Sequence, residues 1–156
     1  MATYIFFWNP DISNVKREDY IEEYFTEEGF FNWSINEYEK VKEGDTFYMM
    51  ICGSINAVVA KGRIISPAYE ARDWSPKRRK PIYYVDMATR VAINPFETDK
   101  LLTGEMLSKE IPVFNWTGGH SGRLLNEEDG KKLDSLFEQY VENHRELIDE
   151  GLMWEV

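Results

Sequence analysis

A chain of 156 residues, 43% apolar and 15% aromatic, is long enough to bury a core of its own and is read as a single domain over 1–156. One cysteine, Cys52, excludes an internal disulfide and a cysteine-based zinc site, and no apolar run of about 18 residues offers a membrane-spanning helix. A net charge of −10 would exclude a polyanionic partner if the acids were evenly spread, and they are not.

Residues 11–45 hold eleven acids and four bases, and residues 127–156 hold ten acids and three bases. The stretch between them, 46–126, holds seven acids and eleven bases, a net of +4. Local field steers a polyanion to a groove, so this basic middle keeps nucleic acid open as a partner. With no basic region leading into an apolar stretch at its start, the chain is expected to be soluble and cytoplasmic, without a membrane partner.

Thr3–Trp8 is β-branched and aromatic and runs into Asn9-Pro10, which predicts the first strand. Residues 14–28 follow as an acidic amphipathic helix, with Val15, Tyr20, Ile21, Tyr24 and Phe25 on one side and Gly29 as its stop. Gly44-Asp45 opens a hairpin: a strand Thr46–Cys52, a two-residue turn at Gly53-Ser54, and a return strand Ile55–Ser66 with a bulge or bend at Gly62. Inside that apolar run, Cys52 reads as a buried, inert thiol. Pro81–Val91 alternates as a further strand, with Ile82, Tyr84 and Asp86 on one face and Tyr83, Val85 and Met87 on the other. A short helix is expected at Leu101–Leu107 and a long one over 126–149, capped by Asn126 with Glu127, Glu128 and Asp129 in its first turn. On the long helix Leu133, Leu136, Phe137, Tyr140, Val141, His144 and Ile148 recur at three- and four-residue spacing and would pack on a sheet. Trp154, in the tail, would plug an apolar gap. Strands separated by helices make the class α+β, a curved sheet or small barrel covered by helices.

One stretch escapes any amphipathic period. Phe114-Asn115-Trp116-Thr117-Gly118-Gly119-His120-Ser121-Gly122 sets an aromatic plate beside amides and hydroxyls on a glycine-shaped loop. Such a loop can grip a flat, hydrogen-bonding ligand. The same residues also suit a buried Trp116 closing a barrel end, with the glycines serving a turn.

Four segments in order resemble the EVE domain family. Tyr4-Ile-Phe-Phe-Trp8-Asn9-Pro10 is similar to its opening strand. Trp33-Ser34, followed by Gly44-Asp45-Thr46-Phe47-Tyr48, is similar to its approach to a Gly-Asp turn and hairpin. Val58 to Ser66-Pro-Ala-Tyr69 looks like its return strand ending in Ser-x-x-Tyr. Asn115-Trp116 with Ser121-Gly122, then an acidic, leucine-rich helix, resembles the version found beside HNH nucleases in modification-dependent restriction systems. The resemblance spans nearly the whole chain. It implies a PUA-like curved, mixed β-sheet or small barrel that encloses one flipped, modified base of DNA or RNA in an aromatic cage. It also implies a nuclease encoded separately as a partner.

A base taken out of its stack needs aromatic faces and a few polar groups to read its edge. Trp8, Trp33, Trp74 and Trp116 can supply faces, and Asn9, Ser34, Asn115, His120 and Ser121 can read edges. Trp8, Asn9, Trp33, Ser34, Asn115, Trp116, His120 and Ser121 are therefore the expected ligand-binding set, converging on one pocket. Arg72-Asp-Trp-Ser-Pro-Lys77-Arg78-Arg79-Lys80 packs five bases around a tryptophan, and Arg72, Lys77, Arg78 and Arg79 are the expected phosphate contacts; a solvated loop that neutralises the acidic helices is the alternative. His120-Ser121 is the one histidine–hydroxyl pairing in a glycine loop, but adjacent side chains diverge and seldom form a nucleophile with its base. With no cluster of metal ligands and no phosphate loop after a strand, the expectation is a non-catalytic binding module without metal or cofactor. A small-ligand or protein-interaction domain using the same pocket and the acidic helices is the rival reading.

Overall fold

A computed structural model of the chain describes residues 1–13, 15–19, 30–71 and 81–148. The expected helix over 14–28 falls mainly outside them, as do the basic run 72–80 and Trp154. The described strands are β1 Thr3–Trp8, β2 Phe30–Ser34, β3 Thr46–Ile51, β4 Ala57–Ile64, β5 Tyr69–Ala71, β6 Ile82–Ala92 and β7 Arg123–Leu125. Helices α1, Gly104–Glu110, and α2, Glu127–Asn143, are followed by a 3-10 turn at Arg145–Leu147. The strands form one mixed sheet in the order β2-β6-β4-β3-β1-β7, with β5 added beside β6. Only β1 and β3 run parallel among these pairs, and both are buried along their whole length. Burial on both faces is why they read as unbroken apolar runs rather than alternating ones.

The alternation of side chains along β1 divides the core in two. Tyr4, Phe6 and Trp8 join Phe47, Met49, Ile51, Val59, Val85 and Met87 in one cluster. Ile5 and Phe7 join Tyr48, Met50, Leu107, Trp116, Leu133, Phe137 and Tyr140 in the other, beneath the helices. The first cluster is the inside of a curled sheet. Phe31 on β2 meets Phe47 on β3 edge to face at 5.8 Å, although β6 and β4 stand between their strands in the sheet. The two sheet edges are joined as well: Asn36 N–H donates to Ser121 O (2.8 Å) and Glu37 N–H to Gly122 O (2.9 Å). The Glu37 carboxylate accepts from Leu124 N–H at 2.8 Å, which ties the start of β7 to the connection after β2.

Several boundaries differ from expectation for physical reasons. The β3–β4 connection spans 52–56 rather than two residues, because Asn56 donates to Ile51 O (3.3 Å) and to Trp116 O (2.8 Å), fixing a wider loop. The first short helix starts three residues later than expected, at Gly104, where Thr103 supplies the N-cap oxygen to Met106 N–H. The long helix has its Asn126 cap as expected but ends at Asn143, before the 3-10 turn. The predicted irregularity at Gly62 is present as a register shift between Lys61 and Gly62. There an added Cβ would stand 2.0 Å from Ala88 O, so glycine is what lets β4 and β6 approach.

Candidate functional site

β1, β2 and the segment leading into β7 end together at Ser121. Its hydroxyl accepts from Phe7 N–H (3.0 Å), taking over the edge of β1 where β7 stops pairing. Its carbonyl holds Asn36, two residues past Ser34. Asn9 follows two residues after Phe7. Its side chain packs against Gly53, where an added Cβ would meet Asn9 Oδ1 at 3.0 Å. Asn9 Oδ1 turns back onto Asp11 N–H (3.0 Å), which aims the chain away from the sheet. Ser121 thus links the end of β1 to the connection after β2, with Ser34 two residues before Asn36 and Asn9 two residues after Phe7.

The four aromatic candidates separate at this point. Trp33, half-buried, packs on the interior cluster and meets Phe31 edge to face at 6.3 Å. Trp8 belongs to the same cluster but is sealed, 1% exposed, with its indole N–H donating to Val15 O at 2.7 Å and Phe96 against its ring. Trp116, also 1% exposed, lies in the other cluster on the outer face of the sheet. Its indole donates to Ile111 O (3.0 Å), and its ring packs on Phe114, which stacks on Phe7. The structure thus does not bring Trp116 to Trp8 and Trp33, because the sheet lies between them. The bland alternative for 114–122 describes it well: a buried plug on glycine turns. Trp74 lies outside the described residues.

Asn115, Thr117 and His120 in that loop are exposed, and Ser121 is half-buried. Asn115 Oδ1 accepts from the Thr117 N–H and hydroxyl, shaping its own turn. His120 is exposed, and Gly118 and Gly119 border open space. Among the described residues neither Asn115 nor His120 has a contact that draws it to Trp33. Cys52 donates its thiol to Trp8 O (3.6 Å), and burial pushes that thiol up from its ordinary range, as suits an inert sulfur. Among the described residues no group of histidine, cysteine and acid side chains is placed to hold a metal ion, and no helix is long and apolar enough to cross a membrane.

Two further ring contacts involve residues that no sequence pattern marks. Tyr38 stacks face to face on Tyr83, with centroids 3.7 Å apart. Arg17 sits 4.4 Å over the Phe96 ring, which itself covers Trp8. No period marks Tyr38, and Tyr83 reads as one more alternating strand residue. Their meeting depends on Ile35 N–H donating to Tyr83 O (2.9 Å), which extends the β2–β6 pairing past Ser34.

No family model matches the chain, and no curated protein matches it. Solved structures do. The crystal structure of human THYN1 protein in complex with DNA containing 5-methylcytosine is similar over 87% of this chain and 97% of that one, with TM-score 0.57 and 15% identity. A hypothetical protein from Leishmania major is similar over 89% and 96%, with TM-score 0.60 and 13% identity. The Mmi1 YTH domain in complex with RNA is similar over 91% and 80%, with TM-score 0.52 and 9% identity.

The fold is PUA-like.

At these identities the likeness concerns the architecture, a curled mixed sheet with helices on its outer face. That is the fold class expected from the sequence.

Proposed function

We propose that this chain is a non-catalytic nucleic-acid-binding module that reads a modified base at the mouth bordered by Asn9, Trp33, Ser34 and Ser121. The observation that carries the reading is the placement of Trp33. It is the candidate tryptophan left half-buried among the described residues, in a fold whose solved examples include a protein bound to 5-methylcytosine DNA and another bound to RNA. Trp33 supplies the stacking face. The Asn9 amide reads the base edge, Ser34, which strand alternation turns to the opposite face of β2 from Trp33, meets the flanking chain, and the Ser121 hydroxyl, whose oxygen already accepts from Phe7, still has its proton to donate. Trp8 and Trp116 act from beneath, holding the strands that carry these groups. Asn115 and His120 fall to a secondary place, as exposed groups that a longer nucleic acid would meet.

Arg72, Lys77, Arg78 and Arg79, which fall between β5 and β6 in the sequence and outside the described residues, would supply the phosphate contacts. A nuclease encoded separately, which the EVE resemblance implies, would supply the chemistry. Titrating a modified nucleoside into wild type and Trp33→Ala tests the reading. Binding should be lost in the variant while it stays folded, because stacking supplies about 1–3 kcal/mol per base.

A further inference from the structure

Base reading by Trp33 leaves the Tyr38–Tyr83 pair at the same mouth unused. The rings lie 3.7 Å apart at their centroids and 16° from parallel. Two neutral, electron-rich rings repel face to face and prefer offset or edge-on packing at about 4.5–7 Å. This pair is closer and more nearly superposed than that. Positive charge is what such faces attract.

The surroundings supply the complement. Glu70 stands directly opposite Tyr83 in the β5–β6 pair, so the two side chains leave the same face of the sheet. Glu37 and Glu39 flank Tyr38 along the chain, with Lys40 and Lys42 following on the same connection. Glu37 is committed to Leu124 N–H, whereas Glu39 and Glu70 are exposed and have no basic partner among the described residues. Burial, then Tyr38 and Glu70, push the Tyr83 hydroxyl up from its ordinary range. The Tyr4 hydroxyl is fully buried in the barrel interior with no hydrogen-bond partner. Burial, then Asp45, Glu37 and Glu39, push it up to about 12. Burial is the larger cause at both tyrosines, with Glu70 adding to it at Tyr83 and Asp45, Glu37 and Glu39 adding to it at Tyr4.

We infer that the Tyr38–Tyr83 pair, with Glu70 and Glu39, is a subsite for a flat ring carrying delocalised positive charge, a ring-N-methylated purine of the 7-methylguanine kind. The inference rests on the nucleic-acid-binding function proposed above and adds, apart from the Trp33 face, a separate subsite for a cationic base. Tyr83 is fixed in β6 and Tyr38 rides on the connection after β2, so Tyr38 moves out by one ring thickness, about 3.5 Å, to admit the ligand. The positive ring then lies between two aromatic faces with carboxylates at its edge.

Calorimetric titration of the full chain in mildly acidic buffer with 7-methylguanosine and with guanosine tests this, since the two differ by one methyl and one positive charge. The cationic nucleoside should bind about tenfold tighter. The preference should vanish in Tyr83→Ala and shrink about threefold in Glu70→Gln, an exposed change that leaves the fold alone, while Tyr38→Phe keeps it. If 5-methylcytidine or N6-methyladenosine binds and 7-methylguanosine shows no advantage over guanosine, the cationic subsite is wrong and base reading stands. If no nucleoside binds, both fail. Tighter binding of a trimethyl-lysine peptide than of 7-methylguanosine would overturn the subsite in favour of a protein ligand.

Discussion

Gly122 lies where the end of the 114–122 loop passes Ile35, at the seam of the barrel. Its φ is +76°, and an added Cβ would stand 2.6 Å from the Ile35 Cα, a backbone atom that cannot swing aside. Strain and overpacking act together there, so Gly122→Ala should cost about 3 kcal/mol in urea unfolding. An unchanged midpoint would mean that the edges do not close as described. The tryptophans should separate by the same measurement. Trp116→Ala removes a fully buried ring and a satisfied indole N–H, and should cost about 3–5 kcal/mol. Trp33→Ala, at the mouth, should cost about half as much or less. Equal losses would return Trp33 to the core and take it out of the interface.

Helix α2 is held to the sheet by packing and by one polar node. Tyr48, wholly buried, donates its hydroxyl to Asp134 Oδ1 at 2.5 Å. Lys61 reaches the same oxygen at 3.3 Å and lies over the Tyr48 ring. Asp134→Ala strands that hydroxyl without a partner and should cost about 1–3 kcal/mol, while Tyr48→Phe in the same background should recover part of it. Alkali should act on the same elements. Burial, then Asp134, push the Tyr48 hydroxyl far up. Burial, then Glu146, bring Tyr140 to about 12, against an ordinary value of 10.0. Their folded pKa values lie above those of the unfolded chain, so the protonated rings favour the native state. That contribution is intact below pH about 10 and is lost as pH climbs towards about 12. A circular-dichroism melting temperature that stays flat across this interval would contradict it. β1, β3, β4, β6 and α2 were legible because each is long enough to show an apolar run, an alternation or a capped 3.6-residue period. β5 and β7 have three residues each, too few for any pattern, and the five of β2 follow an acidic segment that masks their alternation. The site was half legible for a related reason. Sequence marks Trp33-Ser34 and Asn9 as polar–aromatic loop edges, but the side of the sheet on which Trp116 lands depends on how the 111–116 segment returns over β1. Local pattern does not encode that return, nor the meeting of Tyr38 with Tyr83.

Across the whole molecule, the charges follow the proposed division of labour. Acids concentrate in 11–45 and 127–156, and the net positive middle contains the basic 72–80 run. Nucleic-acid binding should therefore rest on few phosphate contacts and show a shallow salt dependence. Arg78→Ala with Arg79→Ala should flatten the slope of log affinity against log salt by about two contacts' worth, each near −0.9 on a duplex. An unchanged slope would leave 72–80 as a solvated loop. The most direct test of base reading at the mouth is a binding titration of oligonucleotides identical except for one base, unmodified or modified, against wild type and Trp33→Ala. The account predicts that one modification binds wild type about tenfold more tightly than the unmodified oligonucleotide, and that Trp33→Ala, still folded at the assay temperature, erases the difference. Equal binding of every oligonucleotide by wild type, or a preference that survives in Trp33→Ala, would contradict it.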